Sequence, residues 1–229
     1  MIVTIDGPTG SGKSSTAQLL AQKLGIFYLN SGFLYRALAY LLMHEKNYTL
    51  QSLYNVAESD VRTFLDPHRL TYTCDSKGNP HVVFDGADIT SHLKGEVEID
   101  QASSIVSANH TVRAMLLGVQ RDIALKNDLI TDGRDTGTIV FPDADFKFYL
   151  TAPLEIRATR WMHDQHARGN SINFEQACKQ LVIRDERDMT RDIAPLVVPQ
   201  NAVIVDNGLY SLDQTVDMLY EKIRANKKN

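Results

Sequence analysis

Eight residues near the start of the chain combine glycines, a lysine and a serine at a spacing that suits phosphate binding. Residues 7–14 read Gly-Pro-Thr-Gly-Ser-Gly-Lys-Ser, after the apolar run 2–5 and before a helical pattern at 13–24. Between a strand and a helix, glycines let successive N–H groups turn toward phosphate oxygens, and the helix N-terminus adds partial positive charge. We therefore expect a nucleoside triphosphate to be bound by Gly7, Pro8, Thr9, Gly10, Ser11, Gly12, Lys13, Ser14 and Ser15.

Lys13 and Ser14 would act on different parts of that ligand. The lysine ammonium can reach the β- and γ-phosphates, and the serine hydroxyl can coordinate Mg²⁺. Asp132 directly follows the apolar run 128–131, and ligands of open parallel sheets gather beyond the carboxyl ends of the strands. The sequence therefore predicts a magnesium site at Ser14 and Asp132. The alternatives are an ordinary Gly-Pro turn at residues 7–8 and a tight turn in which Asp132 and Asp135 cap backbone N–H groups.

Arginines are concentrated in the second half of an otherwise acidic chain. Nine of the 13 arginines lie between residues 113 and 191. Arg184, Asp188 and Arg191 are spaced to share one helix face, and the arginine fork suits phosphates and base edges. A solvated, salt-bridged helix is the alternative. Residues 153–170, with their three arginines and a following Gly-Asn-Ser, predict a mobile lid over the nucleotide, although Arg168 is equally compatible with plain surface charge.

Composition restricts the classes of function. The chain has 229 residues, 43% hydrophobic residues and a net charge of −4, which argue for a sizeable core and against a general nucleic-acid or acidic-membrane binder. No apolar run approaches the ~20 residues of a spanning helix. Because a strand pattern begins at residue 2, we expect no signal peptide and a cytoplasmic protein with Cys74 and Cys178 as reduced thiols.

Strand and helix patterns alternate along the chain, which predicts an α/β fold: a mainly parallel sheet with helices on both faces. The predicted strands are 2–5, 26–29, 128–131, 146–150 and 202–205, and the predicted helices are 13–24, 32–44, 112–126, 153–167, 173–190 and 211–225. Residues 63–95 break this alternation. Their runs 70–73 and 81–84, joined by a turn at 75–80, predict a small antiparallel hairpin in a separate inserted lobe.

Four segments together resemble the bacterial cytidylate kinase family, which is a family of P-loop nucleoside monophosphate kinases. They are the loop 7–14, Asn-Ser-Gly at 30–32 followed by Tyr35-Arg36, the run Asp-Gly-Arg-Asp-Thr-Gly-Thr-Ile-Val-Phe-Pro at 132–142, and Arg-Asp-Glu-Arg-Asp at 184–188 with Arg-Asp-Ile-Ala-Pro-Leu at 191–196. The last two are far more specific than the loop, which many unrelated proteins share. The resemblance covers essentially the whole chain, including Ile89-Thr90-Ser91.

The resemblance implies an activity, ligands and a domain organisation. It implies ATP-dependent phosphorylation of CMP and dCMP with Mg²⁺ by a cytoplasmic monomer, with no nucleic-acid or membrane partner. It also implies a single P-loop kinase domain over residues 1–229. In that domain residues 1–33, 105–152 and 171–229 form the core, 34–104 the monophosphate-binding insertion with a small antiparallel sheet, and 153–170 the lid.

The resemblance further implies roles for individual residues. The catalytic residues would be Lys13, Arg157 and Arg160. CMP would be bound through its phosphate by Ser31, Arg36 and Arg134, through cytosine by Ser104, Arg113, Asp135 and Arg191, and through ribose by Arg184 and Asp188. Two positions depart from the family: Asn30 replaces an aspartate, and Arg160-Trp161 replaces a pair of arginines, so the lid contacts would differ.

Two other functions remain open at this stage. The acceptor could be UMP or another monophosphate, because the same fold and donor chemistry would serve it. The chain could also be an ATP-gated switch that changes shape for a partner, since the phosphate-binding loop alone is shared with such proteins. A kinase would release ADP only when its acceptor is present, and this dependence separates the two classes.

Overall fold

The computed structural model describes residues 1–75, 77–94, 97–167 and 169–226. Within it the chain forms two compact units. The core unit comprises residues 1–28 and 128–229, and the insert unit comprises residues 29–127. Ser76 of the predicted hairpin turn and Arg168 of the predicted lid lie outside the described residues.

A five-stranded sheet forms the centre of the fold. Its strands are β1 (Ile2–Asp6), β2 (Phe27–Asn30), β6 (Leu129–Gly133), β7 (Phe146–Thr151) and β8 (Val203–Asp206). Their order across the sheet is β2-β6-β1-β7-β8. β1 pairs in parallel with β6 and β7, and β7 pairs in parallel with β8. Successive residues from Val3 to Asp6 are all buried, so both faces of β1 are covered, as expected for a parallel α/β sheet.

Four α-helices of the core unit follow the predicted patterns closely. They are α1 (Lys13–Leu24), α6 (Leu154–Ala167), α7 (Phe174–Thr190) and α8 (Leu212–Asn226). α1 ends at Gly25, whose φ of 67° is left-handed and whose N–H donates to the carbonyls of Ala21 and Gln22. α7 begins with a capping box between Asn173 and Gln176. These terminal residues fix where each helix starts or stops beside the sheet.

The insert unit contains the predicted antiparallel hairpin. β3 (Leu70–Cys74) pairs antiparallel with β4 (Pro80–Phe84), and the two-residue β5 (Ala87–Asp88) extends the sheet beyond β4. The helices of this unit are α2 (Ser31–Lys46), α3 (Glu58–Phe64), α4 (Val97–Val106) and α5 (His110–Ala124). α3 and α4 were not among the predicted helices. None of the helices in the described part of the chain is both long and apolar enough to cross a membrane.

Gly7 and Gly118 provide a matched test of the close approach between the phosphate-binding loop and β7. A Cβ on Gly7 would lie 2.0 Å from the carbonyl oxygen of Leu150 at a φ of +150°, whereas a Cβ on Gly118 in α5 would meet nothing within 4 Å. Gly7→Ala should cost about 2–3 kcal/mol of unfolding free energy or prevent folding. Gly118→Ala should gain about 0.5–1 kcal/mol. Urea unfolding of both variants measures the difference, and equal stabilities would contradict the close approach.

Candidate functional site

The loop between β1 and α1 has the backbone conformation that phosphate binding requires. Gly10 and Gly12 have φ values of 77° and 84°, in the left-handed region that favours glycine. The carbonyl of Gly12 accepts the first bond of α1 from the N–H of Thr16, at 3.0 Å. Because Gly12 has no side chain to cap the helix, the first N–H groups of α1 suit an anionic ligand.

Lys13 is a buried cation within this loop. Its ammonium donates to the carbonyl oxygen of Pro8 at 2.6 Å and to the Ser11 hydroxyl at 3.4 Å. Burial lowers the pKa of the Lys13 ammonium well below its usual value and the charge of Arg134 lowers it further, against the opposite effect of Asp132. A bound phosphate would stabilise this buried charge more strongly than a neutral carbonyl does.

Ser14 and Asp132, the two predicted magnesium ligands, are in direct contact. The Ser14 hydroxyl donates to Oδ2 of Asp132 at 2.7 Å, and the Tyr28 hydroxyl donates to Oδ1 at 2.8 Å. Hydroxyl and carboxylate oxygens are the ligands that Mg²⁺ prefers, and in phosphoryl-transfer sites one or two of them act with water and substrate phosphates. Across residues 1–75, 77–94, 97–167 and 169–226, no three His, Cys, Asp or Glu side chains form a metal-binding group. The Ser14 hydroxyl and the Asp132 carboxylate are thus two oxygen ligands of the kind that Mg²⁺ prefers, side by side.

Arg134 joins the phosphate-binding loop to α7. Its Nε donates to Oδ2 of Asp188 at 2.6 Å, and its Nη2 donates to the Thr9 hydroxyl at 2.7 Å. Burial alone would raise the pKa of the Asp188 carboxyl. The charge and hydrogen bond of Arg134, with the charges of Arg184 and Arg191, outweigh burial and hold that pKa below its usual value. Arg184 thus lies within electrostatic range of Asp188, as the shared helix face predicts.

Asp135 and Arg191 form a second pair in the core unit. Nη2 of Arg191 lies 3.6 Å from Oδ1 of Asp135, and Nε of Arg191 donates to the carbonyl of Ala194 at 2.7 Å. Asp135 directly precedes a π-helix, Thr136–Val140, whose first two N–H groups donate to the buried carboxylate of Asp6. The end of β1 therefore fixes the start of that π-helix and, with it, the backbone at Asp135.

Two arginines of the predicted lid, Arg160 and Arg157, form hydrogen bonds with other residues of the core unit. Arg160 donates through Nη1 to Oδ1 of Asn207 at 3.0 Å and through Nη2 to its carbonyl at 2.9 Å. The Asn207 amide in turn donates to the Ser11 carbonyl at 3.0 Å, so this side chain links Arg160 to the loop. Arg157 is buried and pairs with Asp185. Trp161, the departure from the family, packs against the apolar contact between α6 and α7.

The remaining predicted ligands lie in the insert unit. Ser31 is the first residue of α2, and the Asn30 side chain caps that helix by accepting from the N–H of Phe33 at 3.2 Å. Arg36 pairs with Asp100 of α4 at 2.7 Å. Arg113 donates to the Ser107 carbonyl at 3.0 Å and lies over the ring of Tyr35. Ser104 lies in α4, one position beyond the buried Ser103.

Sequence reasoning missed four partners of the predicted residues. Each is distant in sequence from the residue that it holds. Asp185 lies in the family segment 184–188, which marks the position but not its partner, and no local signal in the sequence distinguishes the other three. They are Tyr28, Asp100, Asp185 and Asn207.

Comparison with known proteins assigns the chain to a family. The family model described as cytidylate kinase matches residues 3–225, nearly the entire chain. The chain belongs to the cytidylate kinase family. A cytidylate kinase of Caldanaerobacter subterraneus subsp. tengcongensis is 36% identical over 226 residues, which cover 99% of this chain and 96% of that protein. Those of Shewanella sp. strain W3-18-1 and Thermotoga maritima are 38% and 36% identical, covering 97% of this chain and 94% and 96% of their own lengths.

Solved structures share the architecture at much lower identity. An uncharacterized protein of Eubacterium ventriosum superposes with a TM-score of 0.53 at 13% identity, covering 98% of each chain. A Thermus thermophilus protein gives a TM-score of 0.50 at 15% identity, covering 99% of this chain and 97% of that one. These two likenesses show the fold and carry no information on the ligand.

The lowered pKa of Asp188 predicts a dependence of stability on pH. An ionised Asp188 stabilises the fold above its ordinary pKa, and the contribution is lost as the pH falls through the lower pKa of the folded state. Asp188→Asn should therefore be less stable than the wild type by about 3 kcal/mol at pH 7, and the difference should shrink as the pH falls below the ordinary aspartate pKa of 3.8.

Urea unfolding at several pH values measures this difference. Asp164→Asn serves as the control, because Asp164 is an exposed carboxylate of the neighbouring helix α6. A deficit of Asp188→Asn that stays constant from neutral to acid pH would contradict the assigned ion pair with Arg134.

Proposed function

We propose that this chain transfers the γ-phosphoryl group of ATP to CMP and dCMP, giving ADP with CDP or dCDP. The observation that carries the proposal is the junction at Thr9, where the phosphate-binding loop meets Arg134 and, through it, Asp188 of α7. Membership of the cytidylate kinase family over residues 3–225 supports the same activity. The proposal includes Mg²⁺ as the cofactor and a cytoplasmic monomer that acts on small nucleotides, without nucleic-acid or membrane partners.

The donor side is assigned to the loop and its magnesium ligands. The N–H groups at the start of α1 and the Lys13 ammonium bind the ATP phosphates, and Ser14 and Asp132 would hold Mg²⁺. The metal ion would supply positive charge to the phosphates. Tyr28 keeps the Asp132 carboxylate oriented, because its hydroxyl occupies the oxygen that Ser14 does not.

The acceptor roles are assigned for each unit by itself. In the insert unit Ser31 and Arg36 bind the acceptor phosphate. In the core unit Arg134 binds phosphate, and Arg184 and Asp188 bind the ribose. The acceptor oxygen is already anionic, so the transfer requires no general base. Catalysis then consists of positioning and charge stabilisation, which arginine forks provide.

Cytosine is selected by the polarity of its hydrogen-bonding edge. It offers an amino donor at N4 and acceptors at N3 and O2. In the core unit the Asp135 carboxylate accepts from the amino group and Arg191 donates to the base. In the insert unit Arg113 and Ser104 are assigned as donors to cytosine. Uracil presents the reverse polarity at O4 and N3 and would leave Asp135 unpaired, at a cost of about 1–3 kcal/mol, or roughly 10- to 100-fold in selectivity.

Residues 153–170 are assigned to the lid. Arg160 and Arg157 neutralise charge on the transferring group, and exclusion of water limits hydrolysis of ATP. Asn207 orients Arg160, because it accepts from both terminal nitrogens of that guanidinium. With Trp161 in place of a second arginine, Arg160 carries this role without its usual neighbour.

An acceptor panel tests the proposed reaction. ADP release from ATP and Mg²⁺ is followed with CMP, dCMP, UMP, AMP or no acceptor. We expect rapid release with CMP and dCMP, at least about tenfold slower release with UMP, and little without an acceptor. Release that is equal with and without an acceptor would instead indicate an ATP-gated switch.

Lys13→Ala should abolish the release of ADP while retaining the fold.

Arg191→Met tests the assignment of the cytosine edge. The variant should raise the KM for CMP by about tenfold or more, because a donor to the base is lost, and should change the KM for ATP by less than about twofold. Steady-state kinetics with each substrate varied in turn measure both values. Equal losses for CMP and ATP would show that Arg191 only supports the fold.

A further inference from the structure

The peptide groups of Thr9 are held on both sides by one buried ion pair. The N–H of Thr9 donates to Oδ1 of Asp185 at 3.2 Å, and its carbonyl accepts from Nη1 of Arg157 at 3.0 Å. The same Nη1 donates to Oδ2 of Asp185 at 2.6 Å. Asp185, Arg157 and the Thr9 backbone therefore form a closed ring of hydrogen bonds in the core unit.

This ion pair is well shielded from solvent. Each of its two side chains is only 10% exposed. Nε of Arg157 also donates to the carbonyl of Ala152 at 3.0 Å, which ties the guanidinium to the chain just after β7. A buried carboxylate that loses its charge or its partner weakens all the contacts that depend on it, so the Thr9 backbone is coupled to the charge of Asp185.

Gly10, the residue after Thr9, lies so close to α6 that the loop has no space to move toward that helix. A Cβ on Gly10 would lie 2.8 Å from the carbonyl oxygen of Arg157 and 3.1 Å from its Cβ. The first turn of α6 thus packs directly against the loop at Gly10. The ring at Thr9 and the contact at Gly10 together fix the part of the loop that precedes Lys13.

Helix α7 reaches Thr9 by a second route. Asp188, one turn beyond Asp185, binds Arg134, which donates to the Thr9 hydroxyl. The two buried carboxylates of α7 therefore hold different groups of the same residue: Asp185 the backbone and Asp188, through Arg134, the side chain. The spacing of three residues places both on one face of the helix.

We infer that Asp185 is a positioning residue for ATP binding, which acts through Arg157 and the Thr9 backbone to set the shape of the phosphate-binding loop. The assignment rests on the proposed function only in taking residues 7–14 as the site of the ATP phosphates. It gives Arg157 a role at the loop in addition to its proposed role in the lid. It also separates Asp185 from Asp188, whose proposed ligand is the acceptor ribose.

Asp185→Asn in the full chain tests this role, because it removes the charge while preserving the shape of the side chain. Calorimetric titration with Mg²⁺-ATP and with tripolyphosphate should show affinities about tenfold weaker than in the wild type. The KM for CMP should change less than about twofold. Amide exchange measured by NMR should be faster at Thr9 and Gly10, while the amides in the middle of α1 keep their protection.

Glu186→Gln is the matched control. It makes the same change of charge at the next position of α7, where the side chain is exposed. Its affinities for Mg²⁺-ATP and tripolyphosphate should equal those of the wild type. If Asp185→Asn does not fold, Asp185→Glu replaces it, because glutamate keeps the charge opposite Arg157 but its longer side chain displaces the carboxylate from the N–H of Thr9. This variant should weaken both ligands in the same direction.

Two results would overturn the inference. One is wild-type affinity for Mg²⁺-ATP and tripolyphosphate in the folded variant. The other is an equal loss for these ligands and for CMP, together with a lower unfolding midpoint, as a merely structural residue would give. Failure of the proposed function is recognised separately, because a wild-type chain that does not phosphorylate CMP can still be titrated with tripolyphosphate.

Discussion

A buried cation inside a glycine-rich loop is the constraint on which the rest of this structure depends. Lys13 is 5% exposed, and the three glycines that precede it in the loop have no side chains with which to hold the loop in place. Polar groups from elsewhere must therefore fix the backbone. Arg134 follows β6, Arg157 lies in α6, Asp185 in α7, and Asn207 follows β8. The conformation of the loop therefore depends on the folding of the sheet, because the residues that hold the loop follow its strands or lie in the helices after them.

This arrangement explains why the carboxyl end of the parallel sheet carries the chemistry. β1, β6, β7 and β8 run in the same direction, so the segments that follow them emerge at one edge. The segments that follow β6, β7 and β8 each supply a contact to the loop that follows β1. The first turn of α6, which follows β7, also packs against the loop at Gly10. The family model accordingly matches nearly the full length of the chain and not the loop alone.

The sequence predicted the regular elements well and the short ones poorly. α1 has the predicted bounds, because the loop marks its start and Gly25 its end. The hairpin of β3 and β4 was recognisable from alternating apolar residues around a turn. α3 escaped prediction because seven residues with two buried side chains show little helical periodicity. The insert unit spans residues 29–127. The predicted insertion at 34–104 is shorter than this unit and lies within its bounds.

Residue types identified the chemistry of the site, but only the structure identifies the partners. A surface ion pair between Arg184 and Asp188 was the local alternative. Asp188 also accepts a hydrogen bond from Arg134, which is 54 positions away, and a contact at that separation leaves no trace in helical spacing. The same applies to Asp185, Tyr28 and Asn207, which each hold a predicted residue from a distant part of the chain.

The most direct test of the account follows the γ-phosphate itself. ATP labelled at that position is incubated with the wild-type chain, Mg²⁺ and CMP, and the labelled products are separated. The account predicts that the label appears in the terminal phosphate of CDP. Label that appears only as inorganic phosphate, with no labelled CDP, would contradict it.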